Sequence, residues 1–165
     1  MLEWFAGVRR ALGMEIVVLG RSAAADVLGA LKRGRVVALL CDRDLTGDGV
    51  DVEFFGERTT LPAGPATLAL RTGAPLVPAA VYFAPRGGHR AVVCPPVPAE
   101  RLGRLRDDVA RVTQDLAGRF EELIRAAPEQ WHLFQPNWPS DRLPPGGHRS
   151  ERVSPSTRSS PPRHP

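Results

Sequence analysis

The chain has 165 residues, 42% apolar and 24% charged, which suits one ordinary domain with a real core and excludes a wholly disordered chain. A net charge of +4 and a pI near 10.0 suggest nucleic acid at first, but residues 139–165 alone hold five arginines against two acids. The rest is close to neutral and carries no electrostatic footprint for DNA or RNA, and no apolar run reaches the roughly 18 to 20 residues of a membrane-crossing helix.

The opening LEWFAGVRRAL places Leu2, Phe5, Val8 and Leu12 at helical spacing. Its charges lie among the apolar residues rather than ahead of a long apolar block, so it is not patterned as a secretory signal. MEIVVLG then reads as a short strand. SAAADVLGALKRG reads as a helix with Ser22 as candidate N-cap and Gly34 near its end. RVVALLC is a continuous apolar run of the kind found in buried sheet strands. VDVEFF alternates, with Val50, Val52 and Phe54 on one side. GPATLALRTGA is a short helix marked by Pro65 and Gly73. PLVPAAVYF and RAVVCPPV read as two more strands. A long helix follows, from about Glu100 to Ala127, with Leu102, Leu105, Val109, Val112, Leu116, Phe120 and Leu123 on one face. Its other face interleaves arginines with acids, the pattern of a solvated surface. These elements predict an α/β fold, a mainly parallel sheet flanked by helices. The body ends near Trp138, and residues 139–165, rich in Pro, Ser and Arg, read as a disordered tail.

The two cysteines, Cys41 and Cys94, read as small buried thiols. Neither has a second Cys or His at zinc-ligand spacing. From Asp42 the sequence runs D-x-D-x-T-G with Glu53 at position twelve, close to the calcium loop of an EF-hand. An EF-hand loop joins two helices, whereas both flanks here are strand-like. Its usual apolar position eight is Gly49, and no second loop is present to pair with it. Loops at the carboxyl ends of strands bind ligands in open α/β sheets. Asp42, Arg43, Asp44 and Asp48 could therefore orient a substrate, or only pair among themselves on the surface.

Taken together, DRD, FFGE, LPAGPA, TGAPLVP and PEQWHLFQPNW form a specific combination between Asp42 and Trp138, within a resemblance that spans about Leu2 to Trp138. It resembles the bacterial acyltransferases of the lipid A lauroyl (late acyltransferase) type, most of all their phosphatidylinositol mannoside acyltransferase branch. The resemblance implies a glycerolipid-acyltransferase-like fold and a peripheral protein on the cytoplasmic face of the inner membrane. It implies transfer of a fatty acyl chain from acyl-CoA, as co-substrate, to a hydroxyl of a membrane glycolipid, with no other cofactor and no metal. In the family an H-x4-D histidine acts as general base on that hydroxyl. Glu57, in FFGE, matches the glutamate that partners this histidine and is the candidate catalytic residue. Arg21, in LGR, matches an arginine expected to contact an anionic part of a substrate, where a guanidinium suits phosphate. Asp42, Arg43 and Asp44 match the DRD block and are expected to shape the acceptor site. The TLPAGPATLA stretch would bring backbone N–H groups to a helix start, where an anion is favoured. His132, in the PEQWHLFQPNW block, reads as structural.

One part of the family pattern is missing. An H-x4-D pair needs Asp five positions after His, and His89, His132 and His148 are followed there by Cys94, Asn137 and Val153. His164 lies too near the end. The family's motif precedes its LGR block, so the sequence is expected to be the C-terminal portion of the acyltransferase domain, incomplete at the N-terminus and alone inactive or severely impaired. The alternatives are a non-catalytic remnant that binds glycolipid or acyl-CoA, and a calcium-binding loop protein.

Overall fold

The computed structural model describes residues 2–18, 20 and 22–142. Among these, four helices form: α1 (Leu2–Ala11), α2 (Ala23–Lys32), α3 (Gly64–Thr72) and α4 (Leu105–Arg125). The strands are β1 (Val50–Phe54), β2 (Glu57–Leu61), β3 (Ala79–Phe83) and β4 (His89–Val93). From residue 143 on, the expected tail lies outside the described residues. Its first residues, Pro139–Asp141, form a 3-10 turn.

The expected parallel sheet is overturned. The described strands make two separate antiparallel pairs, β1 with β2 and β3 with β4. The reason lies in pairing. MEIVVLG and RVVALLC have strand-like composition, but an apolar run becomes a strand only when another strand satisfies its backbone. Among the described residues neither run finds a partner, and neither forms a strand. What pairs instead is local. Phe54 faces Glu57 across a two-residue turn, Phe55–Gly56, with φ of 55° and 81°. Two positive φ values mark a type I′ turn, whose twist matches that of an antiparallel hairpin. Phe55 accepts the roughly 1 kcal/mol strain of that region because its ring packs against Trp131 and under the Arg125 guanidinium, 5.0 Å from the ring centre.

Alternation decides which side of β1 is inside. Val52 and Phe54 are buried, while Asp51 and Glu53 face out. That inner face, with Leu61 of β2, packs on Ala117 of α4, where a small side chain admits the strand closely. A second cluster joins Ala66 and Leu70 of α3 to Val109, Val112 and Leu116 of α4 and to Val97. Phe120 borders both clusters, so α4 is the central element. The outward backbone of Glu53 is not left open. Its N–H donates to Gln114 Oε1 at 2.8 Å, and its carbonyl accepts from Gln114 Nε2 at 2.9 Å. A helix side chain thus caps the free edge of the hairpin.

α4 begins later than its apolar spacing suggests. The N–H groups of Leu102 and Gly103 donate to the buried Asp108 carboxylate, which also meets Arg101 and Arg111. Those bonds, that of Gly103 foremost, hold the Asp108 carboxyl below its ordinary range and tie residues 101–103 back as a loop.

Candidate active site

The candidate residues lie at two ends of the β1–β2 hairpin. At its open end the loop 42–49 folds around Asp44. Oδ1 of Asp44 accepts from the N–H groups of Thr46 and Gly47, each at 3.0 Å, and from the Thr46 hydroxyl at 3.1 Å. Oδ2 accepts from Gly49 N–H and from the Thr60 hydroxyl of β2, each at 2.8 Å. Desolvation would raise the carboxyl's pKa, but the bonds from Gly49, Thr60, Gly47 and Thr46 together outweigh it and hold it at about 2, against an ordinary 3.8. This acid is therefore a structural hub that fastens the loop to β2. Its lone pairs are spent on N–H and O–H donors rather than turned outward toward a cation, and Thr46 also donates to Asp48. Among the described residues no group of three or more His, Cys, Asp or Glu gathers as a metal-ligand set.

Asp44→Asn tests that role. An amide NH₂ would meet backbone N–H donors whichever way it turned, so the expected loss is about 2 kcal/mol in urea unfolding. The wild-type contribution has a defined pH window. A folded pKa below the ordinary value gives stability that is fully present above about pH 4. It is lost as pH falls toward about 2, and the variant's acid unfolding should lack that component.

The same loop explains Gly49. A Cβ built there would lie 2.5 Å from the Leu61 carbonyl oxygen and 2.7 Å from Asp44 Oδ2. The strand and the carboxylate occupy the space a side chain would need.

At the turn end, four aromatic rings assemble. Phe54 lies 6.0 Å from both Trp131 and Trp138, and Phe55 packs beside them. Both indole N–H groups find acceptors, as half-buried tryptophans need. Trp131 Nε1 donates to Asp42 Oδ2 at 2.8 Å, and Trp138 Nε1 donates to the Phe54 carbonyl at 2.9 Å. The Thr59 hydroxyl donates to the Asn137 carbonyl. Glu57 opens β2, and its carboxylate accepts twice from Ser140: Oε1 from the N–H at 2.9 Å and Oε2 from the hydroxyl at 2.6 Å. Asp141 closes the turn by accepting from the N–H groups of Asn137 and Trp138, which lower its pKa. The segment 131–141 is therefore a strap over the hairpin. Trp131→Phe keeps one aromatic ring but loses the pyrrole half of the indole and its bond to a charged acceptor, and a loss of about 1–2 kcal/mol in chemical unfolding is expected.

The sequence-predicted residues are thus only partly brought together. Asp42 and Glu57 both border the aromatic cluster, Asp42 through Trp131 and Glu57 as the strand partner of Phe54. Asp44 bonds three residues further along β2, about 10 Å from Glu57 by strand rise. Arg43 is half-buried and makes no hydrogen bond among the described residues. Arg21 lies outside them. Among the described hydrogen bonds, those of Glu57 go to Ser140 and none to a histidine. His132 stacks on Phe134 with ring centres 5.9 Å apart. Gly64 and Pro65 do open α3, as the LPAGPA motif predicts. A cleft of about 650 Å³ adjoins Gly49, with Arg71 and Arg106 in its lining; Asp42 and Glu57 take no part in it. Cys41 and Cys94 are free and half-buried rather than fully buried. Desolvation, with the charge of Asp42, pushes the Cys41 thiol up to about 12, so it holds no reactive thiolate at neutral pH.

The neighbouring blocks DRD (42–44) and FFGE (54–57) therefore meet the distant PEQWHLFQPNW block (128–138) on one hairpin. The family model for bacterial lipid A biosynthesis acyltransferases matches residues 2–140, nearly all of the described chain. The chain belongs to that family. Among its relatives is the phosphatidylinositol mannoside acyltransferase of Mycobacterium tuberculosis (strain ATCC 25618 / H37Rv). It is 44% identical over 144 residues, covering 86% of this chain and 44% of the relative. The Mycolicibacterium smegmatis protein of the same name is 40% identical over 140 residues, covering 83% of this chain and 44% of its own. This acyltransferase-family chain thus spans less than half the length of the relatives it matches. Among its described residues no helix is long and apolar enough to cross a membrane.

Proposed function

We propose that the chain forms part of an acyltransferase that moves a fatty acyl group from acyl-CoA to a hydroxyl of a membrane glycolipid of the phosphatidylinositol mannoside kind, on the cytoplasmic face of the inner membrane. The observation that carries this reading is the union of the DRD, FFGE and PEQWHLFQPNW blocks on the β1–β2 hairpin, in a chain 44% identical to enzymes of that name.

The chemistry assigns each part a task. A sugar hydroxyl is a weak nucleophile at neutral pH and needs a base within hydrogen-bond reach. The base takes the hydroxyl proton as the oxygen attacks the thioester carbon. The new C–O bond forms, the C–S bond breaks, and the thiolate leaves and is reprotonated. A histidine base works best when a carboxylate fixes its tautomer and stabilises the imidazolium. Glu57 is the residue given that positioning role. Asp42, Arg43 and Asp44 shape the acceptor side, and Arg21 is given an anionic group of a substrate. No histidine of this sequence has an aspartate five residues later. The base therefore comes from polypeptide outside this sequence, and the chain alone is inactive or severely impaired. The same absence favours the second reading, a module that binds glycolipid or acyl-CoA without chemistry.

The test is direct. Purified chain is incubated with acyl-CoA and a mannosylated phosphatidylinositol, alone and with the part of the M. tuberculosis relative that the chain does not match. Alone, turnover is expected at least about 10²–10⁴-fold below that of the complete relative. Activity that returns in the mixture supports the enzyme reading. Robust turnover by the chain alone sinks the claim that its base lies elsewhere, and binding without turnover in the mixture favours the module.

A further inference from the structure

The cleft of about 650 Å³ beside Gly49 lies where α3, the first turns of α4 and the start of β1 meet. Its size falls in the range of small-molecule sites, about 300–1,000 Å³. Val50, Leu105 and Val109 give it an apolar floor, the first two half-buried and the third buried. Its polar lining includes Arg71, Arg106, Thr67 and Asp51, and the fold makes no use of these side chains. Arg111, Arg119 and Arg125 of α4 each meet a carboxylate of their own helix. Arg106 has Leu102, Gly103, Val109 and Ala110 three and four residues away, so no acid stands within helical reach. Arg71 likewise has Thr67, Leu68, Ala74 and Pro75. Among the described residues neither guanidinium makes an ion pair or a hydrogen bond, even with Asp51. Thr67 follows the same rule. The hydroxyls of Thr46, Thr59, Thr60, Thr72 and Thr113 are all bonded, whereas that of Thr67 has no partner among the described residues. Thr67 lies one turn before Arg71 on the same face of α3.

We infer that this cleft binds a nucleoside monophosphate group, free in solution or at the end of a larger soluble molecule. Arg71, Arg106 and the Thr67 hydroxyl donate to the phosphate, which carries close to two negative charges at neutral pH. The apolar floor receives the flat face of the base. The Asp51 carboxylate can only accept, so it takes a sugar hydroxyl, and its charge disfavours a second phosphate beside the first. A bilayer fits less well. None of the three floor side chains is bare enough to enter lipid, and the cleft receives an apolar face rather than presenting one. Glu57 takes no part in the cleft, so the inference does not rest on the acyl-transfer reading.

The experiment titrates the purified chain calorimetrically with adenosine monophosphate, inorganic phosphate, adenosine, and vesicles of phosphatidylcholine with phosphatidylinositol. Adenosine monophosphate is expected to bind about 10-fold or more tightly than inorganic phosphate, and adenosine without its phosphate to give no measurable heat. The double variant Arg71→Gln, Arg106→Gln should weaken that binding about 100-fold, because it removes two charge-assisted contacts. Its thermal melting should match wild type, since both side chains are exposed. Thr67→Val keeps size and charge and should still cost about 10-fold, a loss that a diffuse attraction between a basic surface and any anion would not show. Asp51→Asn should narrow the preference for the nucleotide over inorganic phosphate. No binding of adenosine monophosphate, or equal affinity for inorganic phosphate, overturns the inference. So does nucleotide binding that the arginine and threonine variants leave unchanged. Binding confined to the vesicles overturns it too, and gives the cleft to a lipid headgroup instead.

Discussion

Gly49→Ala is expected to destabilise the fold by about 3 kcal/mol or more in urea unfolding. The cause is space, not backbone freedom. Gly49 has an ordinary φ, but its missing Cβ is where the Leu61 carbonyl and the Asp44 carboxylate already lie, both under 3 Å away. Both neighbours are held: Leu61 is buried in the strand against α4, and Asp44 is fixed by its donors from the loop and Thr60. Making room means pulling the loop off β2, which breaks the Gly49 to Asp44 bond as well. Gly47→Ala is the control. Gly47 has φ of 78° with nothing near its absent Cβ, so only the left-handed strain of about 1 kcal/mol applies. Equal losses at the two positions would refute the crowding argument.

Glu57→Gln separates the two roles open to that carboxylate. If Glu57 positions the base histidine, then in the assembly that carries this histidine kcat should fall by about 10²-fold or more. The acid limb of the pH–rate profile should also move to lower pH, because a histidine without its carboxylate binds its proton less tightly. The structure supplies the matched comparison. Ser140 is the partner of both Glu57 oxygens, so Ser140→Ala loosens the strap without touching the carboxylate. A Glu57 that only anchors the strap would make the two variants alike: a loss of about 1 kcal/mol in stability, kcat nearly intact and an unmoved pH profile.

What the sequence made legible was local. The four helices were readable from apolar spacing and from Pro65 and Gly73, and β1 from the Val50, Val52, Phe54 alternation. β2 escaped notice because ERTTL has little apolar content; its place is set by the Phe55–Gly56 turn and by Thr60 and Leu61, which meet Asp44 and the core. The parallel sheet failed for a different reason. Composition shows that Val36–Leu40 would suit a strand, but not whether a partner strand is at hand. The site was half visible. The motif blocks singled out Asp42, Arg43, Asp44 and Glu57, but nothing local could pair Asp42 with a tryptophan 89 residues away, or Glu57 with a serine 83 away. Ser140 in particular stood in a stretch read as tail.

The aromatic cluster gives the strap its own optical signal. Of the three tryptophans, Trp131 and Trp138 stand in the cluster with their indole N–H groups bonded, while Trp4 on α1 is 66% exposed. Replacing Trp4 with Phe leaves an emission spectrum that comes from the strap alone. Its shift to longer wavelength on peeling away from the hairpin would time that event separately from the melting of α4, which contains no tryptophan.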